Sequence, residues 1–264
     1  MGTMTSKGAG PALPPGFRAL LLDEVGSTNA VALEQAEAGE AGGLWVVAGR
    51  QVSGRGRQGR PWTSEVGNLY STLLLRDPAP AARLGELPLV VAVAVHDAIA
   101  DVLPPPARGP LRIKWPNDVL HDGAKMCGIL IEGVAGPSGR AVAIGIGINC
   151  AHHPLDAGYA ATDLRALGHP TEPLVLFERL ALRMAHRLAA WQGGDFGPIR
   201  EAWLARARGV GEAIRVRLPA ETLTGRFEGL DDSGRLLLRL DTGALKVISA
   251  GDVFFGPAEA LGAT

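Results

Sequence analysis

Hydrophobic positions change their period several times along the chain, and each change marks a new element. Ser27-Thr28-Asn29 reads as a helix N-cap, followed by a short helix over residues 30–38 that Gly39 closes. Taken alone, capping accounts for all three polar residues. Residues 44–50 and 69–76 are apolar runs of strand length. Leu84, Leu87, Val91, Ala94, Val95, Ala98 and Val102 recur at helical spacing, with Pro88 near the start. They predict a long helix with one apolar face, ending before Pro104-Pro105-Pro106. A strand over 111–114, a turn over 115–118 and a short strand at 119–120 come next. Asp122-Gly123 signals a hairpin turn into a return strand over 125–134. A second turn, Gly136-Pro137-Ser138-Gly139, leads into a strand over 140–149, and helices are predicted over 172–192 and 199–207.

After Gly209 the texture changes to short strands over 213–218, 224–230, 235–240 and 245–249, joined by Asp- and Gly-containing turns. That pattern predicts a small β-barrel-like domain. The expected organisation is a disordered tail over 1–16, rich in Gly, Pro, Ser and Thr, a main domain over 17–209 and the small domain over 210–264. No internal repeat is visible.

Composition changes this picture little. A chain of 264 residues, 47% hydrophobic and 20% charged, can bury a full core. Two cysteines, Cys127 and Cys150, make neither a disulfide framework nor a metal-type spacing, and the histidines are scattered, so no metal site is predicted. No apolar run follows Lys7 and none reaches membrane-spanning length, which predicts a cytoplasmic protein.

Charge is more informative locally. Net charge is −1, yet Arg50, Arg55, Arg57 and Arg60 crowd one stretch that contains no acid. Alternating glycines there let the backbone approach a ligand closely. Gly54-x-Gly56-x-x-Gly59 matches the dinucleotide fingerprint, but that motif needs a helix next, and Pro61-Trp62-Thr63-Ser64 has no helical period. A nucleic-acid segment is the second reading; the near-neutral charge and the solitary Trp62 count against it. A solvated turn and an anion-binding loop remain.

Lysine is rare: of 26 basic residues only Lys7, Lys114, Lys125 and Lys246 are lysine. Two of these flank one predicted hairpin, in Lys114-Trp115-Pro116-Asn117-Asp118 and Lys125-Met126-Cys127-Gly128-Ile129-Leu130. Lysine presents a compact point charge where arginine presents a planar fork.

Five blocks together resemble the biotin–protein ligases. They are Ser27-Thr28-Asn29, Gln51 with the 54–62 loop, the two lysine blocks, and Gly145-Ile146-Gly147-Ile148-Asn149. Their order and spacing fit over roughly residues 20–260. The resemblance implies an α/β (α+β) catalytic domain with a mixed sheet and flanking helices, of class II synthetase or lipoate-ligase type, followed by a small SH3-like β-barrel. It implies that biotin and Mg2+-ATP give biotinyl-5′-AMP and pyrophosphate. The biotinyl group then passes to a lysine of a biotin carboxyl carrier protein of acetyl-CoA carboxylase.

By the same resemblance Ser27, Thr28, Asn29 and Gln51 line a biotin pocket, and Arg55, Gly56 and Arg57 fold over vitamin and adenylate. Arg57, Arg60, Trp62, Lys114, Asn117, Asp118 and Asn149 face the nucleotide, and Lys125 lies between carboxylate and α-phosphate. Lys125, Arg57 and Arg55 are the expected catalytic cations. Some relatives carry an N-terminal DNA-binding domain; no helix-turn-helix unit precedes residue 20, so no repressor activity and no DNA partner are expected. Either a monomer or a homodimer is compatible. A lipoate–protein ligase or octanoyltransferase is the nearest rival, and the paired arginine-loop and Lys-Trp-Pro-Asn-Asp blocks favour biotin.

Overall fold

The computed structural model describes residues 10–136 and 139–256. Residues 1–9 of the expected tail and the 137–138 turn pair lie outside the described residues. Residues 10–16 form no helix or strand, although Leu13 packs on the core and the Ala12 N–H donates to Glu178.

A seven-stranded sheet carries the main body, in the order β1-β2-β3-β7-β6-β5-β4. Its strands are β1 (Arg18–Val25), β2 (Leu44–Gln51), β3 (Leu69–Arg76), β4 (Leu111–Lys114), β5 (Asp118–His121), β6 (Ala124–Gly136) and β7 (Gly139–Ile148). Only β1 and β2 pair in parallel, because helix α1 (Thr28–Glu37) crosses between them; every other neighbour is antiparallel. The sheet is therefore mixed.

The sheet's two faces are covered unequally. On one, α1 packs Val31, Ala32 and Ala36 against Leu22, Val46, Leu74 and Ala143. On the other lie α2 (Leu87–Val102), α4 (Pro173–Gln192) and α5 (Gly197–Arg206). Pro104 precedes a short helix, α3 (Pro105–Arg108), so the triple proline stops α2 and starts a turn of its own. Helix α2 departs from the single apolar face expected of it. Val90 to Val95 are all fully buried, because the helix runs between the sheet and α4. A helix that is apolar all round belongs in an interior, and each such Val or Leu contributes about 1.5–3 kcal/mol by burial.

Beyond α5 a five-stranded antiparallel sheet follows, in the order β11-β10-β9-β8-β12. It contains β8 (Ala213–Arg217), β9 (Thr222–Leu230), β10 (Leu236–Leu240), β11 (Leu245–Ile248) and β12 (Asp252–Phe255). Trp203 of α5 meets Phe227 of β9 edge-on at 6.4 Å. The Trp115 indole N–H donates to the Gly234 carbonyl and Arg200 to that of Leu230. The small sheet is thus seated on the helical layer. Among the described residues no helix is long and apolar enough to cross a membrane.

Candidate active site

The site lies on the α1 face of the large sheet, and the alternation of β7 makes room for it. Ile144, Ile146 and Ile148 point into the core, so Gly145 and Gly147 face the other way. Across the ladder they pair with Leu130 and Gly128 of β6. A Cβ on Gly145 would stand 2.3 Å from Asn29 Oδ1. On Gly147 it would stand 2.6 Å from Trp62 Nε1, and on Gly128 2.6 Å from Trp62 Cζ3. These glycines serve close approach of side chains rather than an unusual backbone angle.

Above this floor opens a cavity of about 610 Å3, a size suited to a small molecule. Ser27, Thr28, Asn29 and Gln51 line one end of it. Ser27 occupies the N-cap position, with φ −154° and ψ 135°, but its side chain makes no capping bond. The Thr28 N–H donates instead to Gln51 Oε1 at 2.9 Å, and Gln51 Nε2 donates to Ser64 Oγ at 3.2 Å. Capping alone therefore does not account for the triplet.

Arg55, Gly56, Arg57, Arg60 and Trp62 line the cavity from the arginine loop. The loop closes on itself: Gly56 N–H donates to the Arg60 carbonyl at 2.7 Å and Trp62 N–H to that of Gly54 at 2.9 Å. Gln58 and Gly59 take φ of +57° and +71° at its tip. That tip is itself a three-residue 3-10 turn, Arg57–Gly59, and the next element is β3, so the dinucleotide motif fails for want of a helix, as its context predicted. Asp252, at the start of β12, gathers the loop's cations. Arg60 Nη2 lies 2.8 Å and Arg57 Nη2 3.7 Å from its carboxylate, and Arg217 adds a third contact at 3.1 Å. Burial pushes the Asp252 carboxyl up, but Arg60, Arg217 and Arg57 outweigh it and hold it below the usual carboxylate range.

Lys125, Asp118 and Asn149 complete the lining from the sheet. Lys125 Nζ sits 2.8 Å from Asp118 Oδ1, 5.8 Å from the Trp62 ring and 5.6 Å from that of Tyr159. Arg57 and Lys125, from chain segments far apart in sequence, thus face one cavity. Burial likewise raises Asp118, while the ammonium groups of Lys125 and Lys114 lower it more, so it stays ionised well below neutral pH.

Two expected nucleotide contacts are placed elsewhere. Lys114 does not line the cavity; its Nζ lies 3.2 Å from Asp118 Oδ2, where it orients the carboxylate that holds Lys125. Asn117 is buried outside the lining and donates to the Ile129 carbonyl at 3.2 Å, tying the β5 entry to β6. Both support the site from behind.

The sequence reading missed Thr72, Glu132, Asp252 and the segment 154–159. Thr72 bonds Asn29, Glu132 bonds Asn29, and Asp252 bonds the arginines. Pro154, Leu155, Asp156, Ala157 and Tyr159 form one wall. The available signal was slight: a hydroxyl or acid interrupting an apolar strand. Among the described residues no three His, Cys, Asp or Glu side chains converge as metal ligands.

Comparison with known proteins accords with this geometry. Residues 23–149 match the "Biotin/lipoate A/B protein ligase family" and residues 209–256 the "Biotin protein ligase C terminal domain". A biotin–[acetyl-CoA-carboxylase] ligase of Paracoccus denitrificans is 44% identical, over 89% of this chain and 100% of its own length. One from Mycobacterium tuberculosis is 35% identical, over 90% of this chain and 89% of its own. The structure of the Aquifex aeolicus biotin protein ligase in complex with biotin and ATP superposes with a TM-score of 0.78 at 28% identity, covering 90% of this chain and 97% of that one. The mixed sheet with flanking helices and the small SH3-like sheet are thus the architecture that the resemblance implied. A 44% identical relative matched along its whole length, with both ligase domains in order, places this chain in the biotin–protein ligase family.

Proposed function

We propose that this cavity joins the carboxylate of biotin to the α-phosphate of ATP and that the biotinyl group then passes to a lysine of a biotin carboxyl carrier protein. The observation that carries the reading is the meeting of Arg57 and Lys125 over one cavity whose other end is lined by Ser27, Thr28, Asn29 and Gln51. Biotin is neutral except at its tail, so hydroxyl and amide groups suit its ring end and cations suit the other.

Adenylation brings two anions together. At about 4 Å and an effective dielectric of about 20 each unit-charge pair costs roughly 4 kcal/mol. Lys125 and Arg57 offset that repulsion, with Arg55 beside them, most of all where charge builds as the carboxylate oxygen attacks phosphorus. The α–β phosphoanhydride bond breaks and pyrophosphate leaves with its electron pair. In the second step the neutral amine of the acceptor lysine attacks the acyl carbon, AMP departs and the amine loses a proton. Arg60, Trp62 and Asn149 line the same cavity, which supports assigning them to the adenylate.

Magnesium accompanies ATP as part of the substrate. Both Asp118 oxygens are engaged by Lys125 and Lys114, so the ion's ligands would come from phosphate and water. Pyrophosphate release from ATP, measured without carrier and with biotin or lipoate, tests the reading. Release with biotin and none with lipoate is expected; the reverse preference would overturn it.

A further inference from the structure

One carboxylate of the α1 face plays no part in the chemistry above. Glu132, on β6, is absent from the cavity lining, yet its Oε2 accepts a hydrogen bond from Asn29 Nδ2 at 2.7 Å. Asn29 is 3% exposed and does line the cavity, so its carboxamide is nearly immobilised where a ligand's ring end would rest. The Leu130 carbonyl, at 3.4 Å, is a weaker second acceptor for the same nitrogen.

The direction of the bonds follows from what each group can do. An ionised carboxylate only accepts, so the Asn29 nitrogen must face Glu132 and the oxygen must face away. Asn29 Oδ1 cannot donate, so the Thr72 hydroxyl, 2.7 Å distant, gives its proton there. Thr72 Oγ1 can then only accept from the Thr28 hydroxyl at 2.8 Å. Gln51 Oε1 accepts the Thr28 backbone N–H at 2.9 Å and, at 3.0 Å, shares the Thr28 hydroxyl proton with Thr72. The Thr72 hydroxyl and the Asn29 amide thus both donate toward Glu132. Asn29 Oδ1 keeps its second lone pair as an acceptor, and Gly145, lacking a Cβ, lets that oxygen lie directly on the cavity floor, where a Cβ would stand only 2.3 Å away.

We infer that Glu132 is a positioning residue: its charge sets the Asn29 carboxamide so that the cavity floor presents an acceptor to a ligand ring N–H, and thereby selects the cyclic urea. This rests on the ligand reading above. Without Glu132 the carboxamide can rotate, since Thr72 is able to accept from an NH2 group as readily as donate to an oxygen. A donor would then confront the ligand's donor.

Steady-state pyrophosphate release separates this role from simple structural support. In Glu132→Leu the KM for biotin is expected to rise about tenfold, while the KM for ATP and kcat stay within about twofold. Glu132→Gln, which keeps an acceptor oxygen, should restore the biotin KM to within about threefold. The cyclic carbonate analogue of biotin, with ring oxygens in place of the N–H groups, should inhibit the Leu form at least as well as the wild type, because the rotated NH2 group faces an acceptor there. An unchanged biotin KM in the Leu form, or equal weakening of biotin and the analogue, would overturn the inference. Should the Leu form fold poorly, Glu132→Met carries the same test. A wild-type chain that releases no pyrophosphate with biotin overturns the ligand reading itself, and this inference with it, before any variant is compared.

Discussion

At the scale of single residues, function here depends on what sits beside each charge. Lys125 rests on Asp118 at 2.8 Å, close to the Trp62 ring. Removing its ammonium should cost about 10²–10³ in the rate of pyrophosphate release while leaving the protein folded, as loss of a transition-state donor does elsewhere. Release at the wild-type rate by Lys125→Ala would contradict the assignment. Gly147 makes a second case. Its missing Cβ would meet Trp62 Nε1 at 2.6 Å, so Gly147→Ala must lift the indole from the floor. The loop that carries Trp62 can yield, so the melting temperature should hardly move while affinity for ATP falls about tenfold. Calorimetric titration showing unaltered affinity would sink this. Such residues were legible because they stand in short ordered blocks: two lysines in an arginine-writing chain, glycines alternating with isoleucines. Thr72, Glu132 and Asp252 were not. Each is an ordinary polar residue in its own segment, and only the fold brings them to Asn29 or to the arginines.

Elements were read well where the period was long or a turn was chemically marked. The 69–76 and 111–114 strands have the predicted bounds, and Asp122-Gly123 takes φ of +46° and +79° in the hairpin turn it signalled. Strands β1 and β12 went unrecognised. Arg18–Val25 carries two adjacent acids before its last residue and Asp252–Phe255 is only four residues, so neither shows enough alternation to stand out. The helical layer carries a less visible device. Asp97 of α2 accepts from Arg187 of α4 and Arg206 of α5, with His96 alongside. Burial raises the Asp97 carboxyl, but the hydrogen bonds from His96 and Arg187 and the charge of Arg206 bring it far below the usual range. A carboxyl lowered on folding stabilises the native state above its unfolded pKa of about 3.9, and that contribution fades as pH falls below it. Asp97→Asn should therefore destabilise the protein at neutral pH by about 3 kcal/mol, through two guanidinium groups left half-buried without their anion. The gap between variant and wild type should narrow below about pH 4. Urea titrations at pH 7 and pH 3 that gave the same difference would refute this account.

Across the whole molecule the two sheets share one task. The large sheet supplies the floor and Lys125, the small sheet supplies Asp252, and the arginine loop lies between them. Nothing in the sequence of β12 announces that role, because a contact between residues 60 and 252 exists only once α5 has seated the small sheet on the helical layer. Arg57 also donates to the Gly251 carbonyl at 3.1 Å, so the loop is fastened by backbone as well as by charge. Asp252→Asn removes the anion but keeps the shape. Three arginines then lose their common partner, and the loop should open more often. Trypsin should cut at Arg55 or Arg57 several times faster, and the KM for ATP should rise by about three- to tenfold, as for a partly exposed charge pair. Biotin affinity should stay close to wild type, because Ser27, Thr28, Asn29 and Gln51 hold the ring end without help from the small sheet. The sign with pH follows from the lowered Asp252 carboxyl: the latch is complete above about pH 4 and loosens as acid protonates it, so the variant should imitate at pH 7 what acid does to the wild type. A variant with wild-type trypsin resistance and wild-type ATP kinetics would mean that the small sheet does not govern the loop. A variant that lost biotin binding instead would mean that the cavity is not divided into a ring end and a nucleotide end.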